Sequence, residues 1–182
     1  MVHALHRLWL PILAMTVAVV ASNILVQYPI NDWLTWGAFT YPAAFLVTDL
    51  TNRRYGTASA RRVVYAGFAI AVAMSLWLAD PRIALASGAA FLVSQLMDVT
   101  VFDRLRRRPW WQAPLISSSL ASAFDTVLFF TIAFVGTGLP WVSWAVGDWG
   151  VKMAMALAML VPYRALMQIL LPLPADPVRP RN

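Results

Sequence analysis

Residues 113–136, APLISSSLASAFDTVLFFTIAFVG, decide the fold of this chain, and Asp125 is the one charged residue among them. The length and apolar character of this stretch predict a helix that crosses a membrane, because a span needs about 20 mostly apolar residues. A carboxylate inside hydrocarbon is costly and is tolerated mainly where it faces a polar interior. Asp125 therefore predicts a helical bundle around a polar cavity that binds or moves a ligand.

The rest of the chain extends this pattern. The sequence is 60% hydrophobic and 12% charged, with a mean hydropathy of +0.66, well above a typical soluble domain. The chain therefore predicts an all-α integral membrane protein, with one domain over residues 1–171 and a disordered cytoplasmic tail over the Pro-rich residues 172–182. Six segments have the length of a span, namely 8–26, 34–51, 63–79, 83–102, 113–136 and 149–171.

Connections that are rich in basic residues alternate along the chain with connections that have few or none. The connection after the second predicted span carries Arg53, Arg54, Arg61 and Arg62, and the one after the fourth carries Arg104, Arg106, Arg107 and Arg108. The other connections carry few or none. Because Arg-rich loops stay on the cytoplasmic side, both termini are predicted to be cytoplasmic. The net charge of +6 then reflects this topology and contact with anionic membrane lipids, rather than binding of nucleic acid.

Several functions are excluded or unsupported by what the sequence contains. The chain has no cysteine, and its two histidines, His3 and His6, precede the first predicted span. It has no zinc-protease, serine-hydrolase or P-loop motif. The sequence therefore predicts a protein that is not an enzyme and has no catalytic residues, no metal site and no cofactor.

The fifth and sixth predicted spans carry four candidate ligand-binding residues. Asp125 lies deepest, with Thr126 beside it and Phe129 one helical turn further on. Lys152 is the one lysine within a predicted span, and it lies one helical turn from Asp148. Asp125 can bind a substrate, accept a proton or lock helices together. Lys152 can serve a structural ion pair or the function itself.

The earlier spans carry four more candidates. Gln95 and Asp98 lie three residues apart on one helical face and offer an amide and a carboxylate together. Asp49 can contribute to the same cavity or form a plain salt bridge with Arg53, one turn away. Asn23 can contact a ligand or bridge helices.

The chain carries, in order, the motifs Ser22-Asn23-x-Leu25-Val26-Gln27, Thr35-Trp36-Gly37-Ala38-Phe39, Asp49-Leu50-Thr51, Gln95-x-x-Asp98-Val99, Trp110-Trp111-x-Ala113-Pro114, Asp125-Thr126 and Asp148…Lys152. Together these motifs resemble those of the queuosine-precursor transporters, also called the vitamin uptake transporter family. The resemblance covers almost the whole chain. One departure is that many members have Glu after the Asn that follows the span-2 motif, whereas Arg53 follows Asn52 here.

This resemblance implies import of 7-cyano-7-deazaguanine and 7-aminomethyl-7-deazaguanine across a bacterial inner membrane, for salvage of the tRNA nucleoside queuosine. A guanine-like edge has two adjacent donors, which suit Asp98 or Asp125, and an O6 acceptor, which suits Gln95 or Asn23. Phe129 can stack on the base.

The mode of transport stays open between a secondary transporter and a substrate-binding membrane subunit energised by a separate ATPase. Another purine-like or vitamin-like solute remains an alternative substrate. Small residues in the third, fifth and sixth spans suit packing within one chain or a homodimer equally.

Overall fold

A computed structural model describes residues 2–25, 28–31, 34–78 and 81–170 of the chain. The described chain is helical apart from one short ribbon, in which β1 (Pro29–Asn31) pairs antiparallel with β2 (Leu34–Thr35). The helical prediction is therefore confirmed, and the ribbon is an addition to it. The helices are α1 (Val2–Leu25), α2 (Gly37–Thr40), α3 (Pro42–Tyr55), α4 (Thr57–Leu78), α5 (Pro81–Leu105), α6 (Gln112–Phe134), α7 (Trp141–Ala158) and α8 (Leu160–Ile169).

Three helical segments of the described chain are long and apolar enough to cross a membrane. They are Pro81–Leu105, Gln112–Phe134 and Trp141–Ile169, and a shorter apolar segment covers Leu8–Ser22 in α1. The predicted tail, residues 172–182, lies outside the described residues.

The predicted second span, residues 34–51, is divided in the structure. Its first residues form β2, α2 is a single turn, and α3 begins only at Pro42. Pro42 has no backbone N–H, so it cannot continue the hydrogen bonding of α2, whereas a proline is well accommodated in the first turn of α3. α3 ends at Gly56, whose φ of +83° is readily adopted only by glycine.

The predicted sixth span, residues 149–171, also differs from the helix that forms. α7 begins at Trp141, and a break at Met159 separates it from α8. Pro162 has no N–H to donate to the carbonyl of Ala158, which accounts for the break. The earlier start of α7 places Lys152 well inside the helix, rather than in its first turn.

Small residues allow close helix packing at two places. α5 and α6 share the most extensive contact among the described helices, and both helices bury small residues, such as Ala90 and Ser94 on α5 and Ala121 on α6. α1 crosses α4 at Gly67, where an added Cβ would lie 2.6 Å from Met15 Cγ. The sequence of α4 therefore needs a glycine at this crossing.

The Arg-rich ends of α3 and α5 are joined directly. Arg106 Nη2 donates to the backbone oxygen of Asn52 at 2.6 Å and to its side-chain oxygen at 2.7 Å. Arg53 Nη1 donates to the backbone oxygen of Arg106 at 3.3 Å. Asn52 in turn donates to the carbonyl of Val99 at 2.9 Å. These bonds fix the end of α3 against α5 and so set the relative positions of the acids on the two helices.

Candidate functional site

The first group of buried charges surrounds Lys152 on α7. Its ammonium nitrogen lies 2.8 Å from Asp125 Oδ2 on α6 and 2.5 Å from Asp148 Oδ2 on α7. It also donates to Thr126 Oγ1 at 3.2 Å, and Thr126 donates to Asp148 at 2.8 Å. The predicted pair of Asp148 and Lys152 therefore forms, and the structure adds Asp125 to it.

Asp125 has partners for both carboxylate oxygens. Beyond its bond to Lys152, its Oδ1 accepts from Tyr41 at 2.9 Å and from Ser94 at 3.3 Å. Tyr41 lies at the break between α2 and α3, and Lys152 Nζ lies 5.5 Å from the centre of its ring. Asp125 therefore ties the junction of α2 and α3 to α5, α6 and α7, and both its oxygens are hydrogen-bonded in this conformation.

The second group of acids lies where α3, α5 and α6 meet. The carboxyl groups of Asp49 and Asp98 face each other closely enough to share a hydrogen bond. Asp49 also accepts long hydrogen bonds of 3.4 Å from Ser117 and from Ser118. Both Asp98 oxygens lack a well-aligned donor among the described residues.

This acid pair has no cation bound to it in the described part of the chain. In particular, the salt bridge between Asp49 and Arg53 that the sequence allowed does not form, since Arg53 is turned towards the carbonyl of Arg106. Asp49 is 2% exposed and Asp98 is 0% exposed. Two buried carboxylates this close together are stable only if a proton lies between them.

Gln95 lies one helical turn from Asp98 and is equally buried. Its Oε1 accepts from Thr48 at 2.6 Å, whereas its Nε2 has no hydrogen-bond acceptor in the residues that the structure describes. Gln95 therefore joins α5 to α3 through its oxygen and keeps an unused donor.

A narrow cleft runs between the two groups. It encloses about 330 Å³, counting its open mouth, and has room inside for about one water molecule. α3, α6, α7 and α8 form its walls. The polar and aromatic side chains along it are Phe45, Asp49, Ser118, Ser122, Lys152 and Tyr163. Among the described carboxylates Asp49 is the one that lines the cleft, whereas Asp98 and Gln95 do not line it.

The structure separates two of the predicted site residues from this cleft. Phe129 packs edge-to-face with Phe130 at 5.2 Å and with Phe134 at 6.1 Å, so it belongs to an aromatic cluster and is not in the cleft wall. The backbone of Asn23 lies in α1, but its side chain falls outside what the structure describes.

Sequence reasoning missed two aromatic residues of this region. Tyr163 is 1% exposed, lines the cleft and has a hydroxyl group without a partner in the described chain. Phe45 is 1% exposed and forms part of the opposite wall. Tyr163 is the one buried residue of α8. The sequence does not reveal its burial, because this depends on how α8 packs against α3.

No group of three or more potential metal ligands exists among the described residues. The buried chemistry consists of carboxylates, hydroxyls, an amide and one ammonium group around a narrow cleft between helices. Such an arrangement suits reversible binding of a small polar molecule and of protons, and it defines a helical membrane bundle with an internal polar site.

Comparison with known proteins identifies the family. The family described as "Putative vitamin uptake transporter" matches residues 35–80 and 75–167. The chain therefore belongs to this family of membrane transporters, and the predicted resemblance is confirmed.

Three curated relatives match over most of their length. The "Queuosine precursor transporter" of Escherichia coli (strain K12) is 34% identical over an alignment that covers 92% of this chain and 89% of the relative. The "Probable queuosine precursor transporter" of Haemophilus influenzae is 32% identical, covering 84% of this chain and 83% of the relative. A protein of the same name from Bacillus subtilis (strain 168) is 28% identical, with coverages of 76% and 73%. No solved structure matches the chain.

Proposed function

We propose that this chain imports queuosine precursors, 7-cyano-7-deazaguanine and 7-aminomethyl-7-deazaguanine, across a bacterial inner membrane as a secondary transporter. Membership of the family and the names of the three relatives support the transport of a queuosine precursor. The cleft with its buried acid supports a site inside the bundle for a small heterocycle. The observation that carries the proposal is that Asp49 lines the cleft and has no ion pair among the described residues. A buried carboxylate without a cation is costly to maintain, which supports a role in binding.

In the proposed topology the chain crosses the membrane six times and both termini are cytoplasmic. The positions of the arginines support it: Arg53 and Arg106 meet at one end of the bundle, whereas Arg82 lies at the other end, where it binds the carbonyls of Ile132 and Val135. The second and sixth crossings are the broken ones, at Tyr41 and Met159. Interrupted spans flanking a central site are common in secondary transporters.

Asp49 is the proposed acceptor for the donor edge of the base. The N1–H and the 2-amino group of a 7-deazaguanine are adjacent donors, and one carboxylate can accept from both. Such a bidentate pair favours the correct base over one that lacks these donors by about 1–3 kcal/mol. Asp125 suits this role less well, because both its oxygens have partners, and Asp98 does not line the cleft. The assignment therefore moves from Asp98 or Asp125, as the sequence suggested, to Asp49.

The other contacts follow from the cleft walls. The Tyr163 hydroxyl group, which lacks a partner in the described chain, is the proposed donor to O6. Phe45 supplies an aromatic wall for the face of the base in place of Phe129. The cleft is too narrow for the substrate in this conformation. Loading therefore requires α8 to move away from α3, and the break at Met159 is the proposed hinge.

The experiment measures queuosine in tRNA. A bacterial host that lacks precursor synthesis and its own importer would express the chain and receive nanomolar 7-cyano-7-deazaguanine. The wild-type chain should restore queuosine, and Asp49→Asn should lower initial uptake about 10- to 100-fold, the range that corresponds to loss of a bidentate base contact.

Asp103→Asn is the matched control, because Asp103 lies at the Arg-rich end and is 43% exposed beside Arg106. It should restore queuosine as the wild type does. Membrane levels of all three proteins would be compared by immunoblot. Lack of restoration by wild-type protein present in the membrane would overturn the proposed substrate, and full uptake by Asp49→Asn would overturn the proposed site.

A further inference from the structure

Asp98 and Asp49 differ in their surroundings, and therefore in what they can bind. Asp98 is 0% exposed, and neither of its oxygens has a well-aligned donor in the described chain. It does not line the cleft, whereas Asp49, which contacts it, does. A substrate in the cleft therefore meets Asp49, while Asp98 can interact with Asp49 without lining the cleft itself.

Among the described residues, no basic side chain forms an ion pair with Asp98. From α3 it faces Asp49, and from α6 it faces the hydroxyl groups of Ser117 and Ser118. Tyr163 on α8 lies near Asp49, and Arg53 and Arg106 lie near Tyr163. Neither arginine forms an ion pair with the two acids in the part of the chain that is described.

We propose that Asp98 holds the proton that is transported together with the substrate. This inference rests on the proposed function. The pair of acids holds one proton, since two adjacent buried carboxylates cannot both remain ionised without a cation. An Asp49 carboxyl group that accepts from N1–H and from the 2-amino group carries no proton of its own. The shared proton then lies on Asp98, which donates to Asp49.

Proton binding and substrate binding are therefore linked. When Asp98 is protonated, Asp49 can act as an ionised acceptor, and the bound substrate in turn keeps the proton on Asp98. By reciprocity each ligand raises the affinity for the other. Loss of the proton leaves two carboxylates in contact, which disfavours the closed, loaded site. An inward proton gradient can in this way drive accumulation of the precursor.

The test uses the full chain in liposomes with radiolabelled 7-cyano-7-deazaguanine. The wild-type protein should exchange internal for external substrate at equal pH and should accumulate it several-fold when the outside is more acidic. Asp98→Asn places an amide donor where the proposal places the protonated carboxyl group. This variant should still exchange substrate at equal pH, but an imposed pH gradient should produce no accumulation. Asp103→Asn should behave as the wild type in both assays.

Accumulation by Asp98→Asn in response to a pH gradient would overturn the proposal, and so would wild-type exchange that never responds to such a gradient. If wild-type liposomes neither exchange nor accumulate the precursor, the proposed function itself fails, which is a different result.

A second measurement covers the case in which Asp98→Asn does not fold. Substrate affinity of the purified wild-type protein should fall with rising pH by up to about tenfold per unit, as linkage to one proton requires. An affinity that stays constant between pH 5 and pH 9, a range of about 4 units chosen to span this linkage, would contradict the inference.

Discussion

Lys152 Nζ and Asp125 Oδ2 lie 2.8 Å apart, and each side chain is 7% exposed. The two residues are on different helices, α7 and α6, and their ion pair closes a network that also includes Asp148 and Tyr41. Because the pair is buried, removing one partner leaves an uncompensated charge inside the bundle, whereas removing both leaves a smaller defect.

Replacement of Lys152 by Met should therefore destabilise the protein by about 3–5 kcal/mol. The double variant Lys152→Met/Asp125→Asn should recover a large part of that loss, since the amide keeps hydrogen bonds to its neighbours without a charge. Thermal unfolding of the purified proteins in detergent measures both effects as a double-mutant cycle. Additive losses in the double variant would show that the ion pair is not the stabilising interaction.

Tyr41→Phe should lower stability by about 1–3 kcal/mol, because it removes one donor to an ionised, buried acceptor. The ring contacts with Phe45 and Phe91, whose centres lie 5.9 and 6.4 Å away, would remain. Tyr65→Phe is the control, since Tyr65 is 51% exposed. Equal melting temperatures for the two variants would mean that the Tyr41 hydroxyl group does not support Asp125.

Gly67→Ala should destabilise the crossing of α1 and α4 by about 1–3 kcal/mol, as expected for overpacking. The added methyl group would lie 2.6 Å from Met15 Cγ, and Met15 is fully buried. Gly150→Ala is the matched control, because no atom lies within 4 Å of its added Cβ. This control should be neutral or stabilising by up to about 1 kcal/mol through helix propensity. A lower melting temperature for Gly150→Ala than for Gly67→Ala would contradict the close packing of α1 and α4 at Gly67.

The chain contains no cysteine, so single cysteines can report the proposed topology directly. Arg107→Cys marks the connection between α5 and α6, and Leu139→Cys marks that between α6 and α7; both positions are exposed. A membrane-impermeant thiol reagent should label Leu139→Cys in intact cells and Arg107→Cys only after the membrane is opened. Labelling of both cysteines from the same side would contradict the six-span topology.

Part of the site is predictable because it depends on local spacing. The ion pair of Asp148 and Lys152 follows from their separation of four residues on one helix. The burial of Asp125 follows from the apolar stretch around it. The salt bridge of Asp49 and Arg53 has the same spacing but does not form, because Arg106 on a distant part of the chain offers Arg53 another partner.

The remaining site depends on helix positions that local patterns do not determine. Pro42 and Pro162 are visible in the sequence, but whether a proline bends a span or divides it depends on its neighbours in space. The division of the second span brings Tyr41 to Asp125, and the early start of α7 brings Lys152 to the same carboxylate. Phe129 was expected beside the ligand because its helical spacing places it near Asp125, yet it packs against other rings.

The sequence by itself determined that this is a helical membrane protein with buried acids, and its motifs placed it in a transporter family. The physical reason is that span length, charge and apolar content can be read from each segment by itself. Every segment that crosses hydrocarbon must satisfy its own backbone hydrogen bonds, which favours a helix wherever the chain spans the membrane. The tertiary structure alone decided which acid is neutralised and which is not. Among the described residues, Asp125 receives a cation from α7, whereas Asp49 and Asp98 contact each other and serine hydroxyl groups and form no salt bridge. These pairings depend on contacts between helices far apart in the sequence.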